Sequence, residues 1–257
     1  KVIEKMRKNL KVMKDAAKAG TEKEVYSLSG LIGGDGHRLN NYAKNKKTLT
    51  GRATNIAMAM ALASSEVNAS MGKIVACPTA GSCGILPAVI LAAGEVLELS
   101  EDEMINGLLA ASAVGMIIGM NATLSGAEGG CQAECGSASA MGAAAVVELM
   151  GGTPKMSLDA GSIILQNVLG LVCDPVAGLV EIPCAKRNAQ GAITALCKAD
   201  MVMAGVEAKI PFDDAVEAMY KVGKSLPSAL RETAMGGVAA TKEGLRLKEK
   251  VFGKNNE

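Results

Sequence analysis

The sequence has no tryptophan, three tyrosines and two phenylalanines, so aromatics make up 2% of a chain that is 49% hydrophobic. Strands rich in aromatic and β-branched residues are thereby excluded as its main element. There is one histidine, His37, so no His-rich metal site can be built, and a Cys–His nucleophile pair would have to use this residue. No charge of either sign dominates: 27 basic and 26 acidic residues give a net charge of +1. No basic stripe with interleaved aromatics occurs, which argues against a nucleic-acid partner. The cysteines form no Cys-x-x-Cys pair, so zinc-ribbon and ferredoxin patterns are excluded. Walker and Rossmann fingerprints are absent as well. No fixed-period repeat or polar linker divides the chain, so residues 1–257 are expected to form one domain.

What remains is Ala, Val, Ile, Leu, 15 methionines and 30 glycines. Small and flexible apolar side chains suit closely packed helices. The predicted fold is all-α, a single globular domain of about ten helices around a buried central apolar helix. Residues 2–19 carry apolar side chains at three- and four-residue steps and read as an amphipathic helix stopped by Gly20. Further helices are predicted at 49–66, 85–98 (with Pro87 in its first turn), 136–150, 158–172, 185–205, 212–225, 228–235 and 242–250. Ser100-Glu101-Asp102-Glu103 reads as a capping box opening another. That helix contains Leu108 to Leu124, 17 residues without a charge. A spanning helix needs about 20 apolar residues. The run includes Ser112, Gly115, Gly119 and Asn121 and lacks aromatic or basic flanks, so it is read as the buried central helix, with no membrane involved.

Three glycine-rich stretches interrupt the helices: "IGGDG" at 32–36, "PTAGSCG" at 78–84 and "SGAEGG" at 125–130. Such loops can turn backbone N–H groups toward an anion, and helical hairpins need glycine turns anyway. His37 is expected in an exposed loop over 28–40. Lys73, Lys186 and Arg187 lie near these stretches and could hold a carboxylate, or equally be solvated surface charges.

Seven cysteines, an odd number, and no secretory leader fit a reducing, cytoplasmic setting in which thiols stay free or bind metal. Lys1 is not a start methionine, so the natural N-terminus is expected upstream. Cys197, in the middle of "AITALCKAD", reads as core, and Cys135 falls four residues after Cys131 on the same helical face. Cys77 and Cys83 flank the second glycine loop. Cys173 and Cys184 each sit beside a proline in "LVCDPVAGLVEIPCAKRN" (171–188), where a helix is broken twice just where a thiol is placed. Spacing alone leaves two readings open, buried reduced thiols and metal ligands.

Read together, "NASMGKIVACPTAGSCGILPAVI" (68–90), "SGAEGGCQAECGSASAMGAAA" (125–145) and "QNVLGLVCDPVAGLVEIPCAKRN" (166–188) resemble, in this order, the catalytic α part of bacterial iron–sulfur-dependent L-serine dehydratases. "GGDGHRLNNY" (33–42) and "LPSALRETAMGG" (226–237) resemble the same family. The resemblance implies an all-helical catalytic domain with a 4Fe-4S cluster on Cys131, Cys173 and Cys184. The prolines would then project Cys173 and Cys184 from loops toward one cluster. Three thiolates on four irons leave one iron open as a Lewis acid for the β-hydroxyl of L-serine. The implied reaction gives pyruvate and ammonia, in amino-acid degradation and gluconeogenesis. Asn68, Thr79, Gly81 and Ser82 fall in the motif resembling the family's substrate loop and are the candidates for gripping the carboxylate and amine. The general base is not identifiable. The family's second module, the β part, has no counterpart in this sequence, which implies a β-chain partner in a hetero-oligomer. No cysteine follows Cys197 to cap the open iron. Two alternatives remain: a cysteine-desulfidating lyase of similar chemistry, and a non-catalytic iron–sulfur or helical scaffold protein.

Overall fold

The computed structural model describes residues 1–253 and contains, in chain order, α1 (Val2–Glu22), α2 (Asp35–Asn45), α3 (Gly51–Ala69), α4 (Ile85–Val96), α5 (Glu101–Asn121) and α6 (Gly126–Gly129). These are followed by α7 (Ser137–Leu149), α8 (Pro154–Val168), α9 (Cys184–Met203), α10 (Phe212–Ser225) and α11 (Lys242–Phe252). No strand occurs among the described residues, only two isolated bridges, Tyr26 to Gly33 and Cys173 to Arg231. The all-α expectation holds.

The central helix is α7. Every residue from Ser137 to Val147 is buried, and α4, α5, α8 and α9 pack around it. Eight of these eleven residues are Ala, Ser or Gly, so neighbouring backbones come close. At Gly142 an added methyl would lie 3.1 Å from Val89 Cγ2 and 3.4 Å from Ala195 Cβ. One continuous apolar core runs from Leu10 on α1 to Met219 on α10.

The long apolar run belongs to α5, which packs against α7 rather than occupying the centre. It buries Met104, Ile105, Leu108, Ala111, Val114 and Ile118, while Met116 and Met120 are exposed on its other side. Among the described residues α5 is the one helix long and apolar enough to cross a membrane, by length and composition only. It starts where the sequence indicates: Ser100 Oγ accepts from Glu103 N, and the Glu103 carboxylate accepts from Ser100 N at 2.7 Å.

Four boundaries differ from the sequence reading. Helix α1 passes through Gly20, where a side chain would come within 2.7 Å of Ala63; this glycine permits close packing on α3 instead of ending a helix. Helix α2 begins at Asp35, inside the stretch expected to be loop. Helix α8 begins at Pro154, because Thr153 caps it through Met156 N and proline suits the first turn. Residues 228–235 form only one 3₁₀ turn, Ser228–Leu230, after which Glu232 and Ala234 take positive φ.

Candidate metal centre

Three separate segments bring cysteines together. Cys131 follows α6 and opens a π-helical turn, Gln132–Gly136, that leads into α7. Such turns recur at functional sites because they displace side chains from the helical register. Gln132 is fully buried and fixes this turn: its Nε2 donates to Gly129 O and Met219 O, and its Oε1 accepts from Gly170 N. Cys173 lies in extended chain; its N donates to Leu230 O at 2.9 Å and its O accepts from Glu232 N at 2.7 Å. The "LPSALRETAMGG" segment is thus strapped onto a cysteine. Cys184 is the first residue of α9, after Pro183. It was expected on a loop; it sits at a helix N-terminus, where the helix dipole favours a thiolate.

All three thiols are buried and free, and Cys135 joins them. Cys131, Cys135 and Cys173 form one cluster with Ile85 and Ala138. A hydrogen bond from Cys135 holds the Cys131 thiol below its ordinary pKa, with Arg187 adding to the effect against burial, while Cys135 is raised by the same bond. Burial, with the negative charge of Cys131, pushes Cys184 up to about 12 and Cys173 upward as well. Arg187 was a candidate surface cation or carboxylate holder. It is half-buried instead, its side chain 15% exposed, donating to Val172 O at 2.9 Å and paired with Asp174 Oδ1 at 2.9 Å. That Asp174 oxygen has ion-pair distance but no partner in hydrogen-bond geometry, whereas Oδ2 accepts from Val238 N at 2.7 Å. Burial alone would lower the Arg187 pKa; Cys131 and Asp174 outweigh it. The guanidinium therefore compensates negative charge among the thiols. Among the described residues, no three His, Cys, Asp or Glu side chains stand close enough to grip a single metal ion.

The second glycine loop lies against this cluster through Glu134, a residue that sequence reasoning passed over. Thr79 Oγ1 donates to Glu134 Oε1 and lies 3.1 Å from Ser82 Oγ. Gly81 is essential to that approach, since a methyl there would lie 2.6 Å from Glu134 Oε1. A methyl at Gly126 would lie 3.0 Å from Cys173 Sγ and 3.3 Å from both Glu134 Oε2 and Glu232 Oε2. Asn68 Nδ2 donates to Ala80 O at 3.2 Å, and Asn188 Nδ2 donates to Gly81 O at 2.8 Å. Thr79, Gly81 and Ser82 thus lie in one loop that borders the cysteines, and Asn68, in the last turn of α3, is hydrogen-bonded to it. Ser82 itself is fully buried, so its hydroxyl serves Thr79 rather than open space. An acid between two cysteines, "CQAEC", was the one available sign of Glu134.

Other candidates fall elsewhere. Cys197 is exposed, not core. His37 is helical and half-buried, with Nδ1 3.0 Å from Thr21 O and Nε2 2.8 Å from Asn41 Nδ2. Lys73 is exposed and lines a surface cleft with α1 residues Lys8 and Asp15. Lys186 pairs with Asp35 at 2.5 Å, and Glu66 accepts from Asp35 N at 2.6 Å, so the "GGDG" turn is tied to the segment after Cys184.

The profile of the family described as "Serine dehydratase alpha chain" matches residues 1–239. The chain is 51% identical over 252 residues to the probable L-serine dehydratase, alpha chain, of Bacillus subtilis, covering 98% of this chain and 84% of that protein. It is 50% identical over 249 residues to the L-serine dehydratase, alpha chain, of Peptoniphilus asaccharolyticus, covering 95% and 85%. The L-serine dehydratase TdcG of Escherichia coli is 45% identical over 181 residues, 70% of this chain but 40% of that protein. The three cysteine segments, the glycine loop and the strap all lie within the matched residues, and this chain belongs to the serine dehydratase alpha chain family.

Proposed function

We propose that this chain is the α subunit of a two-chain enzyme that deaminates L-serine to pyruvate and ammonia, with a 4Fe-4S cluster on Cys131, Cys173 and Cys184. The observation that carries the reading is that Cys131 and Cys173 pack in one buried cluster, with the buried Cys184 close enough to feel the charge of Cys131, beside the Thr79–Ser82 loop. Thiolates are the usual ligands of iron–sulfur clusters. Ligands of a cluster bind different irons and stand further apart than those of one ion, so this donor set need not form a single-ion site among the described residues. The free thiols, the Arg187 charge beside Cys131 and the side-chain-free space at Gly126 next to Cys173 all fit such a group. When bound, a cluster with one iron free of protein sulfur supplies a Lewis acid for a hydroxyl leaving group.

The rest falls to the protein. Arg187, paired with Asp174, keeps the thiolate-bearing pocket electrostatically balanced, and α9 directs its N-terminus at Cys184. The Thr79–Ser82 loop, pinned by Asn68 and Asn188, closes one side of the pocket. Loss of the α-proton and the β-hydroxyl gives aminoacrylate and water; its tautomer hydrolyses to pyruvate and ammonia. Both ring nitrogens of His37 are taken up by partners on α1 and α2, Thr21 O and Asn41 Nδ2, so we assign the α-proton's base to the β chain. The relatives named alpha chains are matched over 84% and 85% of their length, which supports reading this chain as the alpha member of such a pair. Seven free thiols suit a reducing compartment, and we place the enzyme in the cytoplasm.

The test is anaerobic reconstitution with iron and sulfide, followed by iron and sulfide determination, visible absorption and pyruvate assay with and without the β chain. Four irons per chain and a rise in serine turnover of about 10²–10⁴-fold on adding the β chain are expected. Full turnover by the isolated chain removes the base from the partner. Turnover of cysteine in preference to serine would instead make it a desulfidating lyase, and a loaded cluster with no turnover a scaffold.

A further inference from the structure

Glu134 is half-buried, and among the described residues it pairs with no lysine, arginine or histidine. Carboxylates removed from water are ordinarily paired or hydrogen-bonded, because burying the charge alone is costly. One of its oxygens is accounted for: Oε1 accepts from Thr79 Oγ1 and is crowded against Gly81. The other, Oε2, borders the space beside Gly126 that Cys173 Sγ also borders. A side chain at position 126 would fill that space, and glycine leaves it open. The carboxylate is thus held in a fixed direction by the loop, with one oxygen turned toward a small volume next to a cysteine of the metal centre.

Resting on the lyase reading above, we propose that Glu134 binds the α-ammonium group of the substrate through Oε2. An amino acid brought to this centre by its hydroxyl carries a cation nearby, and Glu134 is the half-buried anion there without one. Glu232, whose Oε2 borders the same space from the strap, is exposed and closes the acidic side. Thr79 acts as a positioning residue: its hydroxyl keeps Oε1 occupied and so directs Oε2. The assignment makes Glu134 a determinant of specificity for α-amino acids over acids that lack the amine.

The experiment uses the cluster-loaded chain with its β chain under argon. Dissociation constants for L-serine and for 3-hydroxypropanoate, which keeps the carboxylate and hydroxyl but lacks the amine, are read from stopped-flow changes in the cluster's visible absorption before turnover. Glu134→Gln is expected to retain its iron and to weaken L-serine about 10- to 150-fold, the range for one lost charged hydrogen bond, while 3-hydroxypropanoate is unchanged. Glu134→Asp should recover part of the loss, and Thr79→Val should weaken L-serine selectively but less. Equal weakening of both ligands, or none of either, overturns the assignment. So does a Glu134→Gln chain that cannot be loaded with iron, because the residue would then serve the housing of the metal. Wild-type protein that carries its cluster yet leaves L-serine unbound overturns the lyase reading first, and the assignment with it.

Discussion

The molecule holds two groups of buried thiols, and they are built differently. Cys77 and Cys83 flank the Thr79–Ser82 loop, and their sulfurs donate to backbone carbonyls, Cys77 to Val75 O at 3.3 Å and Cys83 to Ser64 O at 3.9 Å. Burial pushes Cys83 up to about 12 and Cys77 further, with no cation opposing it. These are neutral packing thiols. The group of Cys131, Cys135, Cys173 and Cys184 is as deeply buried, yet it comes from separate segments, includes a helix N-terminus and has the Arg187 guanidinium beside it. Burial is common to both, so burial does not mark a ligand. What separates them is charge compensation and convergence from distant chain segments, the features on which the proposed ligand set rests.

The largest effect should come from exchanging the two groups' fates. Serine in place of Cys131, Cys173 or Cys184 is expected to lose iron and serine turnover together. Alanine in place of Cys77 or Cys83 should keep the iron and cost about 1 kcal/mol of packing. Iron content and pyruvate assay on the five variants decide it, and loss of iron from Cys83→Ala would erase the distinction.

Next in size is removal of the compensating charge. Arg187→Met leaves Asp174, 2% exposed, buried without its cation, and breaking such a pair costs about 3–5 kcal/mol. The double variant with Asp174→Asn should recover much of that in denaturant unfolding. Additive losses would mean that Arg187 stabilises the fold through Val172 O alone.

The same contrast extends to a carboxylate. Glu66 is fully buried and accepts from Asp35 N and Gly36 N at the start of α2, and burial raises its pKa to about 7 despite those bonds. A folded-state pKa above the unfolded value means the protonated form is favoured by folding. Its contribution is therefore fully present below about pH 4.5 and is lost as pH rises through about 7, a change on the order of 3 kcal/mol. Glu66→Gln keeps an acceptor for Asp35 N and should flatten the melting temperature across that window; an unchanged pH profile would show that Glu66 titrates normally.

Most helices were legible because apolar spacing, the Ser100 box and Pro87 are local signals. The π-helical turn after Cys131 was not, since it is held by Gln132 reaching Met219 and Gly170, partners far along the chain. Gly20 misled because a glycine that ends a helix and one that admits a neighbouring helix look alike in sequence; only the approach of Ala63 separates them. At the site, motifs singled out Cys131, Cys173 and Cys184, and the fold brings their segments together; their role as ligands is the proposal made above. Glu134 was not, because an acid in a glycine-rich stretch is ordinarily solvated, and its burial depends on Thr79 and Gly81 55 and 53 residues away. Arg187 escaped for the same reason: its partner is Asp174, and nothing local says that this aspartate is buried with the guanidinium packed onto it.

The smallest effect is expected at Cys197, the remaining thiol. It was read as core on the general tendency of cysteine to be buried, and the helix itself contradicts that. The buried positions of α9 include Asn188, Ala192, Ala195 and Ala199, at three- and four-residue steps. Cys197 lies two residues from both Ala195 and Ala199, which at 3.6 residues per turn places it on the opposite face. Alanine there removes no packed sulfur and adds helix propensity, so unfolding free energy should move by at most about 0.5 kcal/mol, toward greater stability. Iron content and serine turnover should match the wild type. Exposure also makes Cys197 the thiol that an alkylating reagent should reach first in the folded, cluster-loaded protein, with one label per chain and no loss of turnover. Labelling of Cys77 or Cys83 at a similar rate would show that the loop they flank opens readily, and the contrast between the two thiol groups would then have to be drawn from dynamics as well as from charge.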